Sequence, residues 1–340
     1  APYIQEVVVS LDQANEEEYR YAKEFFSVLP QKVSVIWNDG PKMQDLLKLL
    51  VKNEVEIGQI GKGRSCWMAY GYVLARGTCD VIVQHDCDIL NYTRQILARL
   101  AYPIVAPSLR YEYCKGFYPR LTDRLHGRVT RLFVTPLIRS LEKILGPTPI
   151  LSYLDSFRYP LAGEFAMVTD LAQINRVPGD WGLEIGTLAE TYRNCALRRI
   201  CQSDLCDQYD HKHQDLSPED PQGGLMKMAL DIAKSLFRNL AIEGVTLDPG
   251  TFNTLAVTYQ RMSQDTIQKY EADSAINSLY FDRHQEGISV AAFTQAVKMA
   301  GEEYLEDPVG IPMISNWFRP TSAIPNFFQL LVEAVQEDNR

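Results

Sequence analysis

The sequence predicts an α/β fold followed by a mainly helical C-terminal region, and three observations carry that prediction. In the first quarter of the chain, short apolar runs rich in β-branched residues alternate with longer amphipathic stretches. Acids and amides stand where those apolar runs end. Beyond residue 224 the texture changes to long helical patterns, and no convincing strand remains.

Taken in order, residues 4–11 read as a strand, 16–29 as a helix, 33–37 as a strand, 43–51 and 65–75 as helices, and 79–84 as a strand. Continuous apolar runs separated by amphipathic helices are how buried parallel strands look in sequence. The sheet is therefore expected to lie between helices. Ligands of such sheets gather at the carboxyl ends of strands. Asp12, Asn38-Asp39 and Asp86-Cys-Asp88 all fall there. Residues 225–241, 253–270 and 290–306 carry the later helical patterns. The run Asp215-Leu-Ser-Pro-Glu-Asp-Pro-Gln-Gly-Gly224, dense in acids, Pro and Gly, is the natural junction. The expected division is residues 1–216 and 217–340.

Composition excludes several classes. With 46% hydrophobic and 23% charged residues, 340 residues can bury a sizeable core. No apolar run approaches the roughly 20 residues a membrane span needs, so no stable membrane insertion is expected. A net charge of −9 argues against a general nucleic-acid binder. Seven cysteines, odd in number and without a Cys-x-x-Cys pair, read as reduced thiols. With no signal peptide ahead of residue 1, a cytoplasmic location is expected. The chain starts at Ala1-Pro2 rather than Met, so an upstream element could be missing.

Asp86 and Asp88, one residue apart just past a strand, can turn toward one ligand; hard carboxylate oxygens suit Mg²⁺ or Mn²⁺ shared with phosphates. A solvated turn explains them equally well. Tyr209-Asp-His-Lys-His213 offers two imidazoles, His211 and His213, that could complete a divalent site or simply lie on the surface. Gly61-Lys-Gly-Arg64 ahead of a helix allows close backbone approach, with Lys62 as a point charge for phosphate; a plain surface loop is the alternative. Lys115, Arg120, Arg124, Arg128, Arg131 and Arg139 cluster in a chain of negative charge. Arg128 and Thr130 could grip a phosphate or carboxylate, while most of the six are expected to cover a sheet or pair with acids. In Trp181-Gly-Leu-Glu-Ile-Gly186, Glu184 could bind a sugar or acceptor hydroxyl, or cap a helix beginning at Thr187. The run Tyr159-Pro-Leu-Ala-Gly-Glu-Phe165 looks similarly packed, around Gly163.

In this order, Gly-Lys-Gly, Asp-x-Asp, Gly-Arg-Val-Thr, Ala-Gly-Glu-Phe-Ala, Trp-Gly-Leu-Glu-Ile-Gly and His-x-His make a set. Over about residues 4–216 it resembles the glucosyl-3-phosphoglycerate and mannosyl-3-phosphoglycerate synthases, retaining glycosyltransferases of GT-A (Rossmann-like) fold that make precursors of compatible solutes and methylglucose polysaccharides. The resemblance implies a nucleotide-diphosphate-sugar donor, 3-phosphoglycerate as acceptor, and Mg²⁺ or Mn²⁺. It implies Asp86 as a nucleotide-sugar contact, with Asp12 and Lys62 also on the donor side, and Asp88 and His211 as metal ligands. It further implies Arg128 and Thr130 on the phosphoglycerate, Glu184 near the acceptor hydroxyl, and Gly163 in the wall beside the donor sugar. His213, an acceptor-side position, stands where the family often has asparagine, and the family's first strand and helix have no counterpart ahead of Ala1. Retention implies attack from the face the nucleotide leaves, with Asp88, Glu184 and Lys62 as the residues carrying the chemistry. Glycerate or a lipid phosphate as acceptor, and a nucleotide-binding or dimerising protein without turnover, are the alternatives. A homodimer is expected.

Overall fold

The computed structural model describes residues 3–209 and 224–339. In chain order the elements are β1 (Glu6–Leu11), α1 (Glu16–Phe26), β2 (Lys32–Trp37), α2 (Pro41–Lys52), α3 (Lys62–Arg76), β3 (Val81–Gln84), α4 (Arg94–Val105) and β4 (Tyr113–Phe117). A π-helical turn, Val129–Val134, runs into α5 (Thr135–Leu145), followed by α6 (Pro149–Asp155), β5 (Phe165–Val168), α7 (Thr169–Ile174), α8 (Leu183–Asn194) and β6 (Ile200–Asp204). The later helices are α9 (Gly224–Ile242), α10 (Pro249–Ile276), α11 (Arg283–Glu306), α12 (Phe318–Ala323) and α13 (Phe327–Asp338). β1 and β2 pair in parallel, and four strands form a second sheet in the order β3-β5-β4-β6. Among the described residues no strand follows β6, and no helix is long and apolar enough to cross a membrane. None of the seven cysteines, all of them described, is in a disulfide.

The chain packs as two units. One comprises residues 1–82, 167–183 and 311–340; the other comprises residues 83–166 and 184–310. The helices after residue 224 are thus shared, α9–α11 going to the second unit and α12–α13 to the first.

In the first unit, Val9, Tyr19 and Val35 form a core beneath Val7, Leu11, Phe26, Val33 and Trp37. The start of α1 is written locally: Asn15 accepts from the backbone N–H groups of Glu17 and Glu18, and Glu18 reaches back to the Asn15 N–H. The last residues return to the sheet. Asn339 donates to the Val35 carbonyl at 2.8 Å and accepts from the Val35 N–H at 3.1 Å, covering the free edge of β2. α13 packs on α2 and α3, where Trp67 and Trp317 stack at 4.2 Å and the Trp67 indole donates to the Ser315 carbonyl.

In the second unit, β4 and β6 pair in parallel with Tyr113 opposite Ile200. The π-helical turn has a specific anchor. Pro136 has no N–H to give to the carbonyl of Leu132, four residues earlier. The Tyr259 hydroxyl of α10 donates to that carbonyl instead, at 2.7 Å, with Ser263 at 3.3 Å.

A methyl group on Gly71 would lie 2.1 Å from the Trp317 ring. Gly71→Ala is therefore expected to destabilise the protein by about 1–3 kcal/mol through overpacking, measured by urea unfolding followed through tryptophan fluorescence. An unchanged midpoint would show that the two indoles can part without cost.

Candidate active site

The second unit places Asp86 and Asp88 just after β3, with Asp86 half-buried and Asp88 exposed. The Asp86 carboxylate lies over Gly163: a Cβ there would sit 2.2 Å from Oδ2 and 2.5 Å from Cγ. The Gly163 backbone is not in the left-handed region, so clearance rather than conformation requires glycine. The three carbonyls of 162–164 each accept one hydrogen bond. Lys115 Nζ donates to Ala162 at 2.6 Å, Gln84 Nε2 to Gly163 at 3.3 Å and the Gly116 N–H to Glu164 at 2.9 Å. The Glu164 side chain, fully buried, accepts from the Tyr118 hydroxyl at 2.8 Å and the Tyr209 hydroxyl at 2.6 Å. The two phenol rings stack on each other at 3.5 Å. Next to Asp86, burial drives the His85 imidazole down to about 4, with the Asp86 charge opposing, so the ring is neutral at neutral pH.

The same unit gathers a cationic cluster. Arg128 precedes the π-helical turn, Thr130 lies within it, and Gly127 takes φ +70°, where a Cβ would lie 3.4 Å from the Tyr159 ring and 3.6 Å from the Arg120 stem. Arg120 donates to the Tyr159 hydroxyl at 3.1 Å. Burial pushes the Tyr159 phenol above its usual range, and the Arg120 charge and the Thr130 hydroxyl oppose that shift. Arg128 Nε lies 3.5 Å from Glu286, whose carboxylate Arg131 already holds with two bonds of 2.9 and 3.2 Å. Arg131, stacked over Tyr270, and Arg139, paired with Asp155 at 3.0 Å, are structural, and Arg124 pairs with Asp123. Lys115 departs from the expected cationic face: it is buried in β4, where its charge meets the Ala162 carbonyl. Glu184 is buried in the first turn of α8. That helix starts at Leu183, so Glu184 lies inside it rather than capping one that begins at Thr187.

The first unit holds the other two donor-side candidates. Asp12 follows β1, and both its carboxylate oxygens are shielded from solvent. Burial, reinforced by the Asp39 charge, holds the Asp12 carboxyl above its usual range, with Arg64 opposing. Lys62 opens α3, three residues earlier than the sequence pattern places that helix, and Gly61 takes φ +145° to admit the turn. Gly63 cannot carry a side chain: a Cβ would lie 2.0 Å from the Pro178 carbonyl oxygen.

His211 and His213 lie outside the described residues. Among the described residues no three His, Cys, Asp or Glu side chains gather to cage an ion. Asp88, an exposed carboxylate at a strand end with Asp86 two residues away, nevertheless fits Mg²⁺ or Mn²⁺, which are commonly held by one or two carboxylates together with substrate phosphates. Sequence reasoning missed the Tyr118–Glu164–Tyr209 arrangement. No local signal marks it, because the two phenols come from positions 91 residues apart in sequence.

No family model matches the chain. The glucosyl-3-phosphoglycerate synthase of Persephonella marina is 47% identical over 337 residues, covering 99% of this chain and 83% of that protein. The glucosyl-3-phosphoglycerate synthase of Methanococcoides burtonii is 39% identical over 342 residues, again covering 99% and 83%. The crystal structure of mannosyl-3-phosphoglycerate synthase from Rubrobacter xylanophilus matches at a TM-score of 0.53 with 21% identity, over 74% of this chain and 69% of that one, a likeness of fold that agrees with the GT-A expectation. Identity of that order along nearly its whole length places this chain in the glucosyl-3-phosphoglycerate synthase family.

Proposed function

We propose that this chain is a hexosyltransferase that moves glucose from a nucleoside-diphosphate glucose to 3-phosphoglycerate, keeping the anomeric configuration. Family membership supports the reaction class. The observation that carries the site is the Asp86 carboxylate pressed onto Gly163 at the end of β3.

In this reading Asp86 and the Gly163 backbone contact the donor, and Asp12 and Lys62 in the first unit are further donor-binding residues. Bond breaking leaves negative charge on the departing diphosphate and positive charge on the sugar ring. Lys62, at a helix N-terminus, favours the first. A bound Mg²⁺ or Mn²⁺ would neutralise the diphosphate, with Asp88 as its protein carboxylate and His211 as the second protein ligand. Arg128 and Thr130 hold the phosphoglycerate, since a guanidinium fork and a hydroxyl match its oxygens. His213 belongs to the same acceptor side. Glu184 accepts a hydrogen bond from the attacking hydroxyl and so orients it. The proton can pass to the leaving phosphate, so no protein nucleophile is required. A homodimer is part of the proposal, supported by the exposed Val257 and Ile276 on α10, and sedimentation analysis tests it.

Mass spectrometry of products from UDP-glucose and GDP-glucose, each crossed with 3-phosphoglycerate and glycerate, tests the reading. A glucosyl-3-phosphoglycerate peak is expected, and its absence with both donors would sink the proposal. Asp88→Ala is expected to lower kcat at least about 100-fold, and EDTA to abolish turnover until Mg²⁺ or Mn²⁺ is restored. Arg128→Gln is expected to raise KM for 3-phosphoglycerate about 10- to 100-fold while leaving donor KM unchanged. Gly163→Ala is expected to cost about 10- to 100-fold in kcat/KM for donor, because the new methyl group displaces Asp86. Steady-state kinetics with each substrate varied in turn reads all three variants.

A further inference from the structure

We infer that Glu164, through its bonds to Tyr118 and Tyr209, is a positioning residue that sets where the Asp86 carboxylate lies and thereby sets donor affinity. The inference rests on the reading of Asp86 as a donor contact.

A fully buried carboxylate is costly unless every oxygen is satisfied, and an apolar side chain would fill the same space without that cost. Here each oxygen takes one phenol, at 2.8 and 2.6 Å, and the phenols lie face to face. The arrangement therefore fixes the Glu164 Cα from the side-chain end. From the backbone end, Gly116 holds the Glu164 carbonyl, and β4 comes so near that a Cβ on Gly116 would lie 3.1 Å from the Glu164 Cβ. With Ala162 tied to Lys115 on its other side, Gly163 is held between two fixed neighbours. It is against this immobile residue that Asp86 rests. Loosening Glu164 lets Gly163 shift, and Asp86 follows it.

The test uses Glu164→Gln and Tyr209→Phe in the full chain, with UDP-glucose and Mg²⁺ as the probe. Isothermal titration without acceptor, steady-state kinetics and thermal unfolding are measured together. Donor Kd and KM are expected to rise at least about fivefold, with KM for 3-phosphoglycerate unchanged and kcat at saturating donor within about twofold. Combining Glu164→Gln with Gly163→Ala should weaken donor binding no further than the weaker single variant, since both act on Asp86 through one residue. Wild-type donor affinity in both clamp variants would overturn the inference. So would a rise in both KM values together with a fall in kcat, the pattern of a generally disrupted site. Should Glu164→Gln fail to fold, Tyr118→Phe and Tyr209→Phe carry the same test with the carboxylate left in place. Failure of the wild-type protein to bind UDP-glucose would instead refute the donor-contact reading on which the inference stands.

Discussion

Three consecutive carbonyls, those of Ala162, Gly163 and Glu164, each accept a hydrogen bond from a different partner, and the Asp86 carboxylate lies against the backbone they hold. Backbone this thoroughly bonded cannot relax around a neighbour. The Asp86 carboxylate can therefore lie against Gly163 in a defined place only because that residue carries no side chain. Both carboxylate oxygens face that glycine, each within 2.5 Å of where a Cβ would lie. The constraint runs from β4, which supplies Lys115 and Gly116, through the 162–164 backbone, to the end of β3.

The cationic cluster shows how unevenly one stretch of sequence engages its arginines. Arg131 and Glu286 form a bidentate pair with little solvent access, and breaking such a pair leaves a stranded charge. Arg139 and Arg124 are themselves exposed, where an ion pair contributes little. Arg128 shares only the edge of a carboxylate already engaged by Arg131, and it stands beside Gly127, Thr130, Arg120 and Tyr159. In a chain of net charge −9, such a concentration of guanidinium groups makes a local field opposite in sign to the whole.

Much of the first unit was legible because its signals are local. The β-branched runs of β1 and β2, and the Asn15-Glu-Glu-Glu18 start of α1, declare themselves within a few residues. β4, β5 and β6 did not, being only five, four and five residues long. β4 also contains Lys115 and Gly116, whose charge and missing side chain interrupt the apolar run of a buried strand. The site divides the same way. Asp86, Gly163 and Glu184 were visible as residues in unusual company, and Asp86 and Gly163 are in contact. The phenols that clamp Glu164 were invisible, because pairing across 91 residues leaves no periodicity to find. The start of α8 at Leu183 was missed because Gly182 and Gly186 argue against a helix on propensity, and burial of Leu183, Ile185 and Leu188 outweighs them.

The bond from Tyr259 to the Leu132 carbonyl joins the turn bearing Thr130 to a helix more than a hundred positions later in the chain. Glu286 of α11 reaches the same turn from another side. Helices α10 and α11 are thus a foundation rather than an appendage: without them the Leu132 carbonyl would lose Tyr259 and Ser263, and Arg128 and Arg131 would lose the Glu286 carboxylate. Any shortened form of this scaffold would have to keep them.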